Sequence, residues 1–174
     1  MRRLASLAIV ALACLALVMP TASASNARGP KAPEIAITDG IHGMTAKSTV
    51  AEHLGSPVLL VMWIPVCPHC KKFVPDLQAL YAKYAAKGLK VVTVTWGKKD
   101  YTVEFMKEKG FNFPVGFDWT GTTTKRFGLG KMPGIRLIGA DGHLREVGGT
   151  SELAPTLATL EAAIQAELPA PATK

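Results

Sequence analysis

Val58-Leu59-Leu60-Val61-Met62-Trp63-Ile64-Pro65-Val66-Cys67-Pro68-His69-Cys70-Lys71-Lys72 is the stretch on which the fold turns. Its opening run, Val58 to Ile64, is apolar and rich in β-branched side chains, which predicts a buried strand. Beyond it, Phe73, Leu77, Leu80, Tyr81 and Tyr84 recur at helical spacing, so a helix follows at once. Pro68 falls at or near its first position, where the missing N–H costs nothing. Cys67 therefore sits at a strand-to-helix junction, beside backbone N–H groups that no helical carbonyl uses. Such a place favours a thiolate and makes a cysteine nucleophilic.

Two thiols on one helical turn can reach each other. Cys67, at the helix start, is expected to be the more exposed, and Cys70, inside the first turn, the shielded one. Cys67 then attacks a disulfide, or is attacked as part of one, and Cys70 resolves the mixed disulfide. His69 lies between them, and a ring N–H or imidazolium near the Cys67 sulfur would stabilise the thiolate together with the helix dipole. A lower Cys67 pKa stabilises the reduced protein and makes its disulfide the stronger oxidant. Haem attachment needs a histidine after the second cysteine, where Lys71 stands. A structural zinc site needs two more ligands, and His42, His53 and His143 each stand alone, so neither metal nor cofactor is expected.

The chain of 174 residues can hold one domain. Its start reads as a leader: Arg2 and Arg3, an apolar run from Leu4 to Met19, then Ala22-Ser23-Ala24 as a cleavage site. Residues 1–24 are thus expected to be a signal peptide, cleaved near Ala24, and the protein periplasmic. The same run as an uncleaved membrane anchor, or Cys14 as a lipidated cysteine, are the other readings; 16 apolar residues fall short of the roughly 20 that span a bilayer. Cleavage would leave only Cys67 and Cys70, too few and too close for a structural disulfide scaffold. The net charge of +7 falls to +5 without Arg2 and Arg3. The lysines are scattered among acids and apolar residues, which reads as solvated faces and no nucleic-acid groove.

Residues 25–33 are expected to be a flexible lead-in, 34–168 one domain and 169–174 a disordered tail. Ile35 and Ile37 alternate ahead of turns at Asp39-Gly40 and His42-Gly43, and Ser48 caps a short helix over Thr49 to Leu54, closed by Gly55. Gly88 stops the long helix, and Pro75 inside it should kink it. Lys90 to Trp96 is a second central strand; Asp100 caps a helix running to Lys109 and ended by Gly110. Strand, helix, strand makes a parallel crossover. Phe113 to Phe117 is a short strand, Thr122 to Phe127 a short helix, and Ile135 to Ile138 pairs with His143 to Val147 through Asp141-Gly142. Ser151 caps the last helix, with Leu153, Leu157, Leu160, Ile164 and Leu168 as a core stripe. Met132-Pro133 would stand opposite the cysteines in this topology, and a cis proline there would expose Met132 backbone groups to an extended substrate strand. From the residues alone a trans turn proline is the default.

Taken together these marks resemble the thioredoxin superfamily, and more narrowly the TlpA/ResA-like thiol-disulfide oxidoreductases of the redoxin (AhpC/TSA) branch. The resemblance runs from about Pro33 to Ile164. It rests on Trp63 ahead of Val66-Cys67, on Cys67-Pro68-His69-Cys70-Lys71-Lys72 with Pro75, on Val91 to Gly97 and Asn112-Phe113-Pro114-Val115, and on Met132-Pro133 before Ile135-Arg136-Leu137-Ile138 and Asp141-Gly142. It implies an α/β thioredoxin fold, a central mixed sheet flanked by helices with an N-terminal redoxin-type extension. It also implies a redox-active Cys67–Cys70 disulfide, a cis Pro133, and substrate contacts from Trp63, Met132 and Pro133. Cysteine-containing extracytoplasmic proteins and a membrane thiol-disulfide electron donor or acceptor would be the partners. Two carboxylates of similar proteins are missing: Val61 stands where thioredoxins carry a buried acid, and Phe73 where ResA-like reductases carry a glutamate. The Pro68-His69 dipeptide is instead the one seen in DsbA-like disulfide oxidases, whose helical insertion this chain lacks room for.

Two further classes compete. Peroxiredoxins resemble Pro-x-x-x-Thr-x-x-Cys, and Trp63 and Ile64 stand four and three residues before Cys67, with no threonine. Copper chaperones of this fold resemble Cys-x-x-x-Cys with a distal histidine, a longer spacing than the one present.

Overall fold

β3 (Val58–Trp63) is buried at every residue because it is the central strand of a sheet whose seven strands among the described residues run in the order β1 (Arg28–Lys31), β7 (His143–Arg145), β6 (Gly134–Ile138), β3, β4 (Lys90–Thr95), β5 (Val115–Phe117) and β2 (Asp39–Ile41). The computed structural model describes residues 28–44, 49–111, 113–147 and 155–169. β4 (Lys90–Thr95) lies parallel to β3, with Leu59 opposite Val91 and Trp63 opposite Thr95, and β5 (Val115–Phe117) is parallel to β4. On its other side, β6 (Gly134–Ile138) runs antiparallel to β3 and pairs with β7 (His143–Arg145). Parallel neighbours need crossovers, and these are α1 (Pro68–Tyr84) and α2 (Lys99–Lys109).

Both faces of the sheet are covered, which is why its central strands read as continuous apolar runs. One face holds Leu59, Val61 and Trp63 against Val74, Leu77, Leu80 and Tyr84 of α1, Phe105 and Met106 of α2, and Leu160 and Ile164 of α4 (Leu157–Glu167). The other holds Leu60, Met62, Val92 and Val94 against Ile35, Ile37, Met44 and Val50 of the N-terminal segment, and Phe127 and Leu129 after α3 (Thr122–Arg126). This is a thioredoxin-like mixed sheet with helices and an N-terminal extension packed upon it.

Several elements depart from the sequence reading. Arg28–Lys31, expected as lead-in, is the edge strand β1, paired with β7 and held by an Arg28–Asp141 ion pair of 2.9 Å and a 3.0 Å bond between His143 Nδ1 and the Gly29 carbonyl. β2 (Asp39–Ile41) pairs with β5 at the other edge. Asp100 does not cap α2: Lys98 takes that position and Asp100 lies in the first turn, where its charge still favours the positive end of the helix. Leu157 is 41% exposed, so the stripe on α4 meets the core through the fully buried Leu160 and Ile164 and the partly buried Leu168, while Leu153 lies outside the described residues. The helix ahead of Gly55 is a single 3₁₀ turn over Ala51–His53. The caps assigned to Ser48 and Ser151 lie outside the described residues, as do the leader and the final tail from residue 170. α1 continues through Pro75, and Gly88 takes φ 105°, the left-handed geometry that lets the chain leave the helix.

Candidate active site

Cys67 is the N-cap of α1, with extended backbone (φ −77°, ψ 121°), and Pro68 occupies the first helical position. β3 delivers the chain to this point: the Cys67 N–H donates to the Ile64 carbonyl at 3.2 Å, and the Lys71 N–H donates to the Cys67 carbonyl at 3.0 Å to start the helix. The Cys67 sulfur is half-buried and Cys70 is 2% exposed; both are free thiols. The relative exposure expected from one helical turn is therefore present: Cys67 is the more exposed cysteine and Cys70 the shielded one.

Burial of the Cys67 sulfur works against ionisation, yet the N–H of Cys70, the thiol of Cys70 and the N–H of His69 together hold its pKa below the ordinary thiol value. Burial pushes Cys70 up to about 12, softened by a backbone hydrogen bond with Ile64 and reinforced by the Cys67 charge. Among the described residues no carboxylate acts on either sulfur, in keeping with Val61 and Phe73 at the two positions where one was missed. His69 is exposed, and its contribution is its amide, since its ring makes no hydrogen bond with a described residue. At the second helical position it is thus the His69 N–H, facing the cap, that is seen to act on the sulfur. Among the described residues no cluster of His, Cys, Asp or Glu is placed to hold a metal ion.

The Met132–Pro133 peptide bond is cis, and the Met132 carbonyl lies 3.8 Å from the Cys67 sulfur. Met132 and Pro133, 65 and 66 residues further along, thus stand directly beside the cysteine, both half-buried. Trp63 does not join them. It is 3% exposed, its ring centroid 5.7 Å from that of Phe105 and 5.1 Å from that of Phe111, so it is a core residue and no substrate contact. As the last residue of a strand covered on both faces, it points under α2 rather than out of the sheet end.

Two parts of the site went unread in the sequence. Asp118, fully buried after β5, caps α3: its carboxylate oxygens accept from the N–H groups of Thr122 at 2.9 Å and Thr124 at 3.2 Å. An aspartate between a strand and a threonine run was the available signal. Gly97 lets the β4–α2 loop press against Pro65, since a Cβ there would come within 2.7 Å of Pro65 Cδ and 2.8 Å of Thr102 Oγ1.

With the site assembled, its relatives become informative. The AhpC/TSA family pattern matches residues 29–147. The chain belongs to the AhpC/TSA family. A thiol-disulfide oxidoreductase ResA from Bacillus thuringiensis subsp. konkukian is 32% identical over 123 residues, 70% of this chain and 69% of the relative. A crystal structure of a candidate thiol:disulfide interchange protein DsbE from Chlorobium tepidum superposes with a TM-score of 0.68 at 31% identity, covering 82% of this chain and 98% of that one. A secreted Mycobacterium tuberculosis disulfide oxidoreductase, homologous to E. coli DsbE, has the same fold with a TM-score of 0.61 at 20% identity, over 78% of this chain and 96% of that one. The family member described here is a thioredoxin-fold thiol-disulfide oxidoreductase of the ResA/DsbE type.

Proposed function

We propose that Cys67 and Cys70 form the dithiol/disulfide pair of the reaction and that the substrates are cysteines of other proteins outside the cytosol. The observation that carries this is the asymmetry of the two sulfurs, one half-exposed at a helix N-terminus with a lowered pKa, the other buried and raised. In the reductive direction the Cys67 thiolate attacks a partner disulfide, forming a Cys67–partner bond and releasing the partner's second sulfur as thiolate. Cys70 then attacks Cys67, its proton passes to the departing thiolate, and the partner leaves fully reduced while the pair becomes a disulfide. The reverse order donates that disulfide. Met132 and Pro133 flank the attacked sulfur and offer backbone to an extended partner strand.

The extracytoplasmic setting rests on the leader in residues 1–24 and on an export-compatible pair of cysteines. No helix among the described residues is long and apolar enough to cross a membrane. A membrane-borne thiol-disulfide carrier would recycle the pair. Disulfide donation is the direction favoured by two observations: the Cys67 pKa is lowered, which stabilises the dithiol, and among the described residues no carboxylate assists the Cys70 proton. Equilibration in glutathione buffers with thiol counting tests the whole reading. Both thiols should titrate as one two-electron couple, nearer the −120 mV or so of a strong oxidant than the roughly −270 mV of thioredoxin. Independent oxidation of the two sulfurs would overturn the pair, and a thioredoxin-like value would overturn the direction.

A further inference from the structure

Three exposed apolar side chains share the end of the sheet that carries the reactive sulfur. Val66, 63% exposed, precedes Cys67; Trp96, 38% exposed, is the first residue past β4; Trp119, 47% exposed, is the second past β5 and stacks on Phe117 at 5.1 Å between centroids. β3, β4 and β5 are consecutive parallel strands, so all three residues leave the sheet at its carboxyl edge. The approach of Gly97 to Pro65 packs the loop bearing Trp96 onto the loop bearing Val66 and Cys67. Cys67 thus stands between this aromatic loop and the Met132 carbonyl on its opposite flank. Indole rings are largely buried in most folds, so two of them on one exposed rim mark a contact surface.

The charge of the rim is positive. Lys71 and Lys72 are exposed at the start of α1, Lys98 at the cap of α2, and Lys131 beside Met132. Of the nearby acids, Asp39 is engaged by Lys99, Asp118 is buried in the cap of α3, and Asp76 is half-buried on α1; Asp100 and Glu104 on α2 are exposed.

We propose that Val66, Trp96 and Trp119 form the docking rim for the polypeptide around the partner's cysteine, and that the rim selects an extended segment with an apolar or aromatic side chain two or three residues from that cysteine and acidic side chains beyond it. This deepens the thiol-disulfide reading and rests on it. A mixed disulfide holds the two cysteine Cα atoms about 4.4–6.8 Å apart, and an extended chain advances about 3.3 Å per residue, so partner residues two or three positions away lie over the loops that flank Cys67. A lipid surface is the other occupant that tryptophan and lysine suit. It is disfavoured because the rim adjoins the reactive sulfur, and a membrane lying across it would close the sulfur to its substrate.

The test uses the reduced full-length protein and three disulfide probes: a cysteine peptide with tryptophan and aspartate neighbours, the same peptide with serine and lysine neighbours, and neutral 2-hydroxyethyl disulfide. At low ionic strength the acidic aromatic peptide should react about tenfold faster than the basic one, and that preference should shrink several-fold in 0.5 M salt, where the Debye length falls to a few ångströms. Trp96→Ala should lower the ratio of the acidic peptide rate to the 2-hydroxyethyl disulfide rate about tenfold, the factor that 1.4 kcal/mol makes. Trp119→Ala should act alike, with Trp119→Phe, which keeps the stack on Phe117, as its folded counterpart. Equal rates for the two peptides, an unchanged ratio in folded Trp96→Ala, or Trp96-dependent binding to phosphatidylglycerol vesicles with an unchanged ratio would each overturn the rim. Failure of the wild-type protein to react with any of the three probes would instead overturn the thiol-disulfide reading beneath it.

Discussion

Replacing Cys70 by alanine removes one of three groups that hold the Cys67 thiolate and leaves the other two in place. The sulfur's burial opposes ionisation, and the Cys70 N–H, the Cys70 thiol and the His69 N–H outweigh it. A hydrogen bond to a charged group is worth about 1.5–3 kcal/mol, and a thiol is a weak donor, so roughly half that, about 0.7–1.4 kcal/mol, is at stake. At about 1.36 kcal/mol per pKa unit the Cys67 midpoint should rise by about half to one unit in Cys70→Ala. It should remain below the ordinary thiol value of about 8.5, because both amides survive. The assay is the pH dependence of iodoacetamide alkylation, in which the variant should react about three to ten times more slowly than wild type at pH values below both midpoints. The folded midpoint is the depressed one, so the stability that this thiolate lends the reduced protein is in place above the ordinary thiol value and is lost as pH falls through the Cys67 midpoint. A midpoint that stays still or falls would refute the thiol's part, and one that rises to the ordinary value would refute the amides'.

Phe73→Glu places a carboxylate one helical turn beyond Cys70, on a half-buried position, and should shorten the lifetime of a Cys67 mixed disulfide several-fold near pH 7 by accepting the Cys70 proton. Stopped-flow resolution kinetics check this, with Phe73→Gln expected to lack the acceleration. Gly97→Ala forces a Cβ to within 2.7 Å of Pro65 Cδ, so the loop beside Cys67 must shift; a loss of about 1–3 kcal/mol in urea unfolding, together with slower exchange, is expected. Leu160→Ala empties a fully buried place between α4 and the sheet and should cost about 2–5 kcal/mol in the same measurement without moving the Cys67 midpoint.

What could be read from the residues was whatever local chemistry decides. The run Val58 to Trp63 is apolar on both faces because both faces are covered, and Pro68 after Cys67 marks a helix start in any context. The pairing of Cys67 with Met132 and Pro133 followed from topology plus resemblance, as did the cis bond. What was misread depends on partners distant in the chain. Arg28–Lys31 has no periodicity of its own and becomes a strand only because β7 and Asp141 are there to receive it. Trp63 belongs to the run read as a buried strand, and only the resemblance gave it a substrate contact; packing against Phe105 of α2 and Phe111 just beyond it buries the ring. Trp96 inverts the error: it closes the expected strand Lys90 to Trp96, yet it lies one residue past β4 in solvent, and Trp119, two residues past β5, carried no reading at all. The His69 amide, which acts on the Cys67 sulfur from the helix start, drew no notice in the sequence beside its ring.

The measurement closest to the central claim is intact mass after mixing Cys70→Ala and, separately, Cys67→Ala with a disulfide-bonded protein substrate. An attacking sulfur at residue 67 and a resolving one at residue 70 predict a stable covalent adduct in Cys70→Ala, mapped by digestion to Cys67, and almost none in Cys67→Ala near neutral pH. An adduct forming as readily on Cys70 when Cys67 is absent would contradict the account.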